Sequence, residues 1–482
     1  MQLNELVKNI SCIDRIGDMA TEIGCLVTDS REVVAGSLFF ALEGLREDGH
    51  DFVLEAASRG ASAAVVEKLC AVNIPQILVE NCRVALPGIA AAFYGNPERE
   101  MKFVTVVGTN GKTSVTHILR QIFDRAGKNC GVIGTNGCFF GKRYIPQNLT
   151  TPDPVDLYRT LRIMRNFDVD TVFMEESAHA IYHKKLSGIV AEVGIFTNCT
   201  EDHLDFFKDM ATYAGVKKSY FVPSNCKKAL VNCDDPTGRE ILSESGCELY
   251  SYGIEEPCDS FAVYIKNSLD GLRFVANLFD EVYDVSCRLY GRFNVYNLLA
   301  CMTCAKLLGL SYDEIMDGVE GITEIDGRFN IVSCGARNIV IDFAHTPDGL
   351  KNVLKAAREL TQGRLVCLFG CGGNRDRFKR KVMGEIGCEL SDYLVVTSDN
   401  PRFEDPIDIM NDIREGIPPH KKFVMIENRR KAIEFAIGLL EPEDLLIICG
   451  KGSEKYQEIR GTKFVYNDYD CVREILDKLE ES

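Results

Sequence analysis

Residues 104–114 read Val-Thr-Val-Val-Gly-Thr-Asn-Gly-Lys-Thr-Ser, a β-branched run that breaks into a glycine turn and ends on Lys-Thr. This stretch narrows the possible folds sharply, because an apolar strand must feed a tight turn and then a helix. The helix is predicted by Val115, Ile118, Leu119, Ile122 and Phe123, which recur at i, i+3, i+4, i+7 and i+8, with Gly127 placed to end it. Strand, turn and helix N-terminus together make an anion site. Backbone N–H groups and the positive end of the helix dipole face the phosphates, Lys112 reaches the terminal ones, and the Thr113 hydroxyl suits Mg²⁺. Gly108 and Gly111 have two residues between them instead of the usual four. The run Gly108-Thr109-Asn110-Gly111-Lys112-Thr113-Ser114 is therefore a shortened phosphate loop, and a nucleotide phosphate is its expected ligand.

At 482 residues the chain is too long for a single core. It has no uninterrupted apolar run of bilayer length, so no membrane span is expected. The opening MQLNELVKNISCIDRIGDMA mixes acids with bases and lacks a long apolar segment, unlike a signal peptide, so a cytoplasmic location is expected. A net charge of −16 argues against a general nucleic-acid binder, and an anionic substrate must be met by a local cluster of Lys and Arg. The 20 cysteines are scattered, often inside apolar segments, and read as reduced core thiols. Cys301-Met302-Thr303-Cys304 lies in a helical apolar pattern with no second pair at zinc spacing, so it too reads as core.

Three α/β domains are expected, at 1–98, 99–330 and 331–482. The first alternates short strands (37–42, 63–66, 77–79) with Ala-rich helix (52–60), and Tyr94-Gly95-Asn96-Pro97 marks its end. The second carries the phosphate loop, strands at 170–174, 193–198 and 228–232, and a helix at 297–308. The third has strands at 338–341, 365–369, 393–397, 423–426 and 445–448 alternating with helices, the pattern of a doubly wound, Rossmann-like domain.

Two strands of the central domain end in chemistry. Val172-Phe173-Met174 runs into Glu175-Glu176-Ser177-Ala178-His179, and the strand edge where ligands sit in an open α/β sheet makes Glu175 a candidate Mg²⁺ ligand; the alternative is a solvated acidic turn. Phe196-Thr197-Asn198 likewise runs into Cys199-Thr200-Glu201-Asp202-His203-Leu204-Asp205.

These blocks, with Gly291-Arg292-Phe293-Asn294-Val295-Tyr296-Asn297, Asp342-Phe343-Ala344-His345-Thr346-Pro347-Asp348, Phe369-Gly370-Cys371-Gly372-Gly373-Asn374-Arg375-Asp376-Arg377 and Ser398-Asp399-Asn400-Pro401-Arg402, resemble the Mur ligases over nearly the whole chain. Within that family the last two blocks are similar to the branch that adds the third residue of the peptide. The resemblance implies an ATP- and Mg²⁺-dependent ligase in peptidoglycan precursor synthesis. The γ-carboxylate of D-Glu in UDP-MurNAc-L-Ala-D-Glu would be phosphorylated, and the amine of a diamino acid would attack the acyl phosphate. It also implies site residues. Ser30, with the turn at 44–47, would hold the uridine nucleotide, and Thr150, Thr151, Ser177, His183 and Lys185 would line the path of the muramoyl peptide. Glu175 and His203 would serve Mg²⁺, and Lys217 would be carbamylated, its alternative being a solvent-facing helix lysine. Asn294, Arg328 and His345 would approach the adenine and ribose. For the acceptor, Arg375 and Arg402 suit a carboxylate and Asp399 and Glu454 an ammonium, with Asn400, Pro401 and Gly450 around them; meso-diaminopimelate is favoured over L-lysine.

The chain departs from the family pattern at Glu176 and Ala178, where Val and Ser are usual. It departs again at Lys185 for Arg, Phe207 for His and Ser453 for His. These leave open a paralogue with another amino acid or UDP-peptide. A folylpolyglutamate synthase-like ligase would share the loop but has no use for a domain carrying Asp29-Ser30-Arg31, and a non-catalytic binder would not need Lys112, Glu175, His203 and Lys217. A monomer acting on small molecules is expected.

Overall fold

The computed structural model describes residues 1–44, 47–334 and 337–480; Leu45 and Arg46 of the turn expected to help hold the uridine nucleotide lie outside the described residues. The chain divides into two compact units. One comprises Met1–Thr105, Lys128–Gly194 and Ser219–Lys228, the other Val106–Gly127, Ile195–Lys218 and Ala229–Ser482. Both are α/β.

In the first unit, Cys25–Val27, Ser37–Phe40, Ala61–Val66 and Gln76–Leu78 lie parallel in that order, and Asp14–Ile16 joins Gln76–Leu78 antiparallel. Phe39, Ala41, Ala64 and Val66 form a core with Val53 and Ala56 of helix Val53–Ser58. Helix Cys82–Phe93 begins where the Asn81 side chain accepts from the Val84 N–H. Further along, strand Thr171–Glu176 lies parallel to Cys130–Gly134, which continues antiparallel into Gly137–Phe140 and Arg143–Ile145. The strand predicted at 170–174 therefore runs on through Glu175 and Glu176, and both carboxylates are buried. That excludes the solvated turn.

In the second unit, helix Lys112–Arg125 buries Val115, Ile118, Leu119, Ile122 and Phe123, as the spacing predicted. Gly318 of helix Tyr312–Glu320 allows close approach, since a Cβ there would stand 2.9 Å from the Ile122 Cα. Helix Arg292–Leu307 starts five residues before the predicted bound and buries both Cys301 and Cys304. Strand Glu248–Gly253 pairs parallel with Ser260–Ser268, which continues antiparallel into Gly271–Leu278 and Glu281–Cys287. Sequence patterning did not signal these four. Their faces are half-exposed: along Glu281–Cys287 only Tyr283, Val285 and Cys287 turn inward.

The last sheet has the strand order Asn330–Cys334, Arg337–Asp342, Leu445–Cys449, Leu365–Phe369, Tyr393–Thr397, Phe423–Ile426, all parallel but the first. Helices Pro347–Leu360 and Phe378–Leu390 cover one face, Arg429–Gly438 and Asp468–Glu480 the other. This is the predicted doubly wound domain. Its strands deliver Phe343–His345, Gly370–Arg377, Ser398–Arg402 and Gly450–Glu454 to their carboxyl ends, where ligands bind in such sheets. Among the described residues no helix is long and apolar enough to cross a membrane.

Candidate active site

The phosphate loop is braced by the residues that follow strand Ala191–Phe196. The Asn198 side chain accepts from the Asn110 N–H (2.9 Å) and donates to the Asn110 carbonyl (3.1 Å), while Thr197 Oγ1 donates to the same carbonyl (2.7 Å). Glycine is required at both ends of the turn. A Cβ on Gly108 would stand 1.9 Å from Thr197 Oγ1, and Gly111, at φ +89°, would bring one 2.7 Å from Asn297 Oδ1. Lys112 Nζ donates to the Gly108 and Thr109 carbonyls at 2.8 and 2.9 Å, and Ser114 is buried in the first helical turn. Thr113 Oγ1 accepts from Arg328 Nη2 (2.8 Å), whose guanidinium lies over the Phe343 ring.

Lys217, in helix Met210–Lys218, is only 1 % exposed. Its Nζ donates to Thr109 Oγ1 at 2.5 Å and lies 4.0 Å from the centroid of the Tyr213 ring. Burial above all pulls this amine down to about 7. The solvent-facing alternative is excluded: the amine is buried against the phosphate loop and gives up its proton far more readily than an exposed lysine.

Four ionisable side chains gather beyond the loop. Asp202 Oδ2 is 3.4 Å from His203 Nε2 and 3.9 Å from His345 Nε2, and Asp202 Oδ1 is 3.6 Å from Lys379 Nζ. Burial opposes charge on Asp202, but Lys379 foremost, with the His203 backbone N–H, holds its carboxyl well below the usual range. Burial draws both histidines the other way, His345 to about 4, which favours neutral imidazoles. His203 is held at φ +56°, a conformation that non-glycine residues adopt at a cost of about 1–3 kcal/mol. Asn110 Nδ2 donates to Asp348 Oδ2 (3.0 Å), so the start of helix Pro347–Leu360 also meets the loop.

At the carboxyl edge of the last sheet Arg402 and Arg375 flank Gly372: a Cβ there would lie 2.9 Å from Arg402 Nη1 and 3.8 Å from the aliphatic Arg375 Cγ, and Arg375 Nη1 donates to the Asn374 carbonyl. Arg402 donates to the Gly373 carbonyl at 2.8 Å and stands 3.3 Å from Glu458 Oε2. Burial, then repulsion from Arg402, lowers the Arg375 pKa, the signature of cations facing one region. Pro401 closes on Gly373, where a Cβ would stand 2.0 Å from the Pro401 carbonyl. Asn400 donates to Glu454 Oε2 (2.8 Å) and accepts from Lys451 Nζ (3.0 Å), and Lys451 also donates to Glu454 (2.9 Å). Glu454 is thus already engaged by a buried lysine. Asp399 is buried between Lys451 and Arg429, which hold its carboxyl low against burial, and its Oδ2 faces Gly450 at φ +114°.

In the first unit the Glu175 carboxylate accepts from the Thr135 N–H (2.8 Å) and from Thr135 Oγ1 (3.1 Å), which in turn meets Thr150 Oγ1 at 3.0 Å. Thr151 Oγ1 donates to the Glu175 carbonyl (2.9 Å) and accepts from the Ser177 N–H (3.0 Å), and Ser177 caps helix Ala178–Tyr182. Lys185 Nζ donates to the Thr151 carbonyl (3.3 Å) and pairs with Asp153 at 2.8 Å. His183 follows the helix, and burial lowers its pKa. Ser30 Oγ donates to Glu55 Oε2 at 3.4 Å.

Three family models match this chain: the Mur ligase family catalytic domain over residues 22–98, the Mur ligase middle domain over 106–305 and the Mur ligase glutamate ligase domain over 327–452. The UDP-N-acetylmuramoyl-L-alanyl-D-glutamate--2,6-diaminopimelate ligase 1 of Clostridium acetobutylicum is 37% identical over 99% of this chain and 100% of its own length. The corresponding ligase of Geobacter metallireducens is 39% identical over 98% of each. A solved structure of a ligase of that name is 27% identical, covers 100% of both chains and superposes with a TM-score of 0.70. The chain belongs to the Mur ligase family.

In this Mur ligase, motif reading singled out the loop, Lys217 and the arginines Arg375 and Arg402 but passed over several residues that hold them. Asn198, Thr197 and Asn297 brace the loop, yet a polar cluster after a strand does not reveal which side chain turns back onto the chain. Asn294, expected near the nucleotide, donates to the Tyr290 carbonyl (2.8 Å) and accepts from Asn297 Nδ2 (2.9 Å), so within this unit it orients the residue beneath Gly111. Lys379 carried no signal beyond its place after the Asn374-Arg375-Asp376-Arg377 run.

Proposed function

We propose that this Mur ligase joins an amine of meso-diaminopimelate to the γ-carboxylate of D-Glu in UDP-MurNAc-L-Ala-D-Glu, at the expense of ATP, as a cytoplasmic monomer. Full-length relatives of that name support the reaction. The observation that carries the acceptor is the pair Arg375 and Arg402 at Gly372, suited to the second carboxylate of a diamino diacid, which L-lysine lacks.

In this reading the carboxylate oxygen attacks the γ-phosphorus of ATP, ADP departs with the electron pair of the broken P–O bond, and the amine then displaces phosphate from the acyl phosphate. A carboxylate acylates poorly until its oxygen belongs to a phosphate leaving group. Charge must be neutralised as anions meet, a task for Lys112 and the amides of the loop from Gly108 to Ser114. Arg328 and His345 would serve the nucleotide, and Ser30, Thr150, Thr151, Ser177, His183 and Lys185 the UDP-peptide. Asp399, Asn400, Glu454 and Gly450 would shape the acceptor end, Lys451 having taken the charge of Glu454.

The donor chemistry fits Mg²⁺: in the second unit Thr113 offers a hydroxyl and His203 an imidazole, and the first unit, taken by itself, offers the buried Glu175 carboxylate; among the described residues no three His, Cys, Asp or Glu gather as a closed metal cage. An ion with few protein donors, completed by phosphate and water oxygens, is the ordinary habit of Mg²⁺. When bound, it supplies neutralisation of phosphate charge. The neutral Lys217 amine is suited to add CO₂, and the resulting carbamate would stand in for a carboxylate beside the loop.

The test is phosphate release with ATP, Mg²⁺ and UDP-MurNAc-L-Ala-D-Glu, with meso-diaminopimelate, L-lysine or no amino acid, and the product mass recorded. Turnover that needs diaminopimelate and yields the matching tripeptide is expected. Lysine-dependent turnover would keep the ligase and refute the acceptor, and silence with every amino acid would refute both.

A further inference from the structure

Lys379 is the second residue of helix Phe378–Leu390, and its side chain is 6 % exposed. As a stabilising group it is badly placed. The ammonium has left water, and it stands at the positive end of a helix dipole. Arg380, beside it, is what a structural cation looks like: it donates to Glu404 at 2.8 and 2.9 Å, to Asp412 at 2.9 Å and to the Gly372 carbonyl at 3.2 Å. Lys379 approaches only Asp202, at 3.6 Å, and among the described residues its Nζ makes no hydrogen bond. Three donors on a buried cation are unspent.

Its direction is set by what it shares. Asp202 gathers Lys379, His203 and His345, and His203 lies within electrostatic reach of both Lys379 and the loop lysine Lys112. Two residues before Asp202, the Thr200 N–H donates to Thr109 Oγ1 and the Thr200 carbonyl accepts from it, both at 3.1 Å, so the cluster that holds the ammonium is fastened to the phosphate loop. We infer that Lys379, steered by Asp202, is a second phosphoryl-binding cation, delivered by the C-terminal sheet domain to the group in transit from ATP to the D-Glu carboxylate. As the bond from γ-phosphorus to the β-bridging oxygen breaks and the bond to the carboxylate oxygen forms, the charge on the three equatorial oxygens is met by N–H donors of Lys379, which keeps its protons throughout. The inference rests on the ligase reading above.

Calorimetric binding of Mg²⁺–ADP, with and without aluminium fluoride as a mimic of the phosphoryl group in transit, tests it in the presence of UDP-MurNAc-L-Ala-D-Glu. For Lys379→Met the ADP affinity should stay within about threefold, while the aluminium fluoride complex weakens by about 10²–10³-fold and kcat falls by a similar factor at nearly constant KM for ATP. Lys379→Arg should recover part of both. Because Lys379→Met leaves Asp202 without its closest cation, Asp202→Asn and Asp202→Asn/Lys379→Met are compared as well. A further loss of aluminium fluoride affinity in the double variant supports phosphoryl contact; equal affinity in these two variants would mean that Lys379 only balances Asp202, and would overturn the inference. The binding comparison needs no amino acid acceptor, so it separates failure of this inference from failure of the acceptor assignment.

Discussion

The Lys217 amine lies 2.5 Å from the Thr109 hydroxyl, so a helix lysine 108 residues away in sequence closes over the second residue of the phosphate loop. Held at about 7, that amine is mostly charged at pH 6 and mostly neutral at pH 8. Only the neutral form adds CO₂. At a fixed, limiting concentration of dissolved CO₂, activity is expected to rise with pH across this window, following a roughly tenfold gain in neutral amine. Labelled bicarbonate should give a carbamate ¹³C signal that Lys217→Met abolishes; full activity without such a signal would remove the carbamate from the mechanism.

Gly111 tests the loop. Gly111→Ala forces a Cβ into φ +89° and to within 2.7 Å of Asn297 Oδ1. Left-handed strain alone costs about 1–2 kcal/mol, so the affinity for ADP should fall about tenfold or more. Gly127 is the control, because it too has positive φ but a Cβ there meets nothing within 4 Å. Gly127→Ala should leave ADP affinity unchanged, and equal losses in the two variants would point to general destabilisation.

Arg402 tests the acceptor. Arg402→Lys keeps the charge but loses the planar fork that grips a carboxylate through two N–H groups. The KM for meso-diaminopimelate should rise by about 10–10²-fold with KM for ATP unchanged, the cost expected for a charge-assisted pair. A parallel rise in both constants would instead mean that the hairpin of strands Tyr456–Ile459 and Thr462–Val465, held by the Arg402 backbone through Glu458 and Arg460, had shifted.

A buried ion pair joins helices Arg429–Gly438 and Asp468–Glu480 of the C-terminal sheet domain. Arg429 donates to both oxygens of Asp468 at 2.8 and 2.7 Å, with neither side chain exposed. Asp468→Ala strands the guanidinium and should cost about 3–5 kcal/mol in urea unfolding. A loss below about 1 kcal/mol would mean that water or another acceptor reaches Arg429.

Local pattern carried the scaffold. The strands Leu365–Phe369, Tyr393–Thr397 and Leu445–Cys449 lie where the apolar runs placed them, because a strand buried in a parallel sheet must be apolar residue after residue. The helix after the loop was legible for the same kind of reason, its apolar face repeating every three or four residues. The strands between Glu248 and Cys287 were not, because apolar residues such as Val263, Tyr264 and Val282 stand on their exposed side and blur the alternation.

What the sequence determined by itself was this set of elements, together with the glycines and Lys-Thr of the loop, whose backbone chemistry is local. Tertiary structure alone decided which charges left water. Helix Met210–Lys218 carries no strong apolar stripe to mark Lys217 as inward, and Lys379 sits beside Arg380, another buried cation with a wholly different set of partners. Burial and electrostatic partners come from segments far apart in the chain, Asp202 with His345 and Lys379 or Thr109 with Lys217. Periodicity within one segment holds no record of what another segment will bring to it.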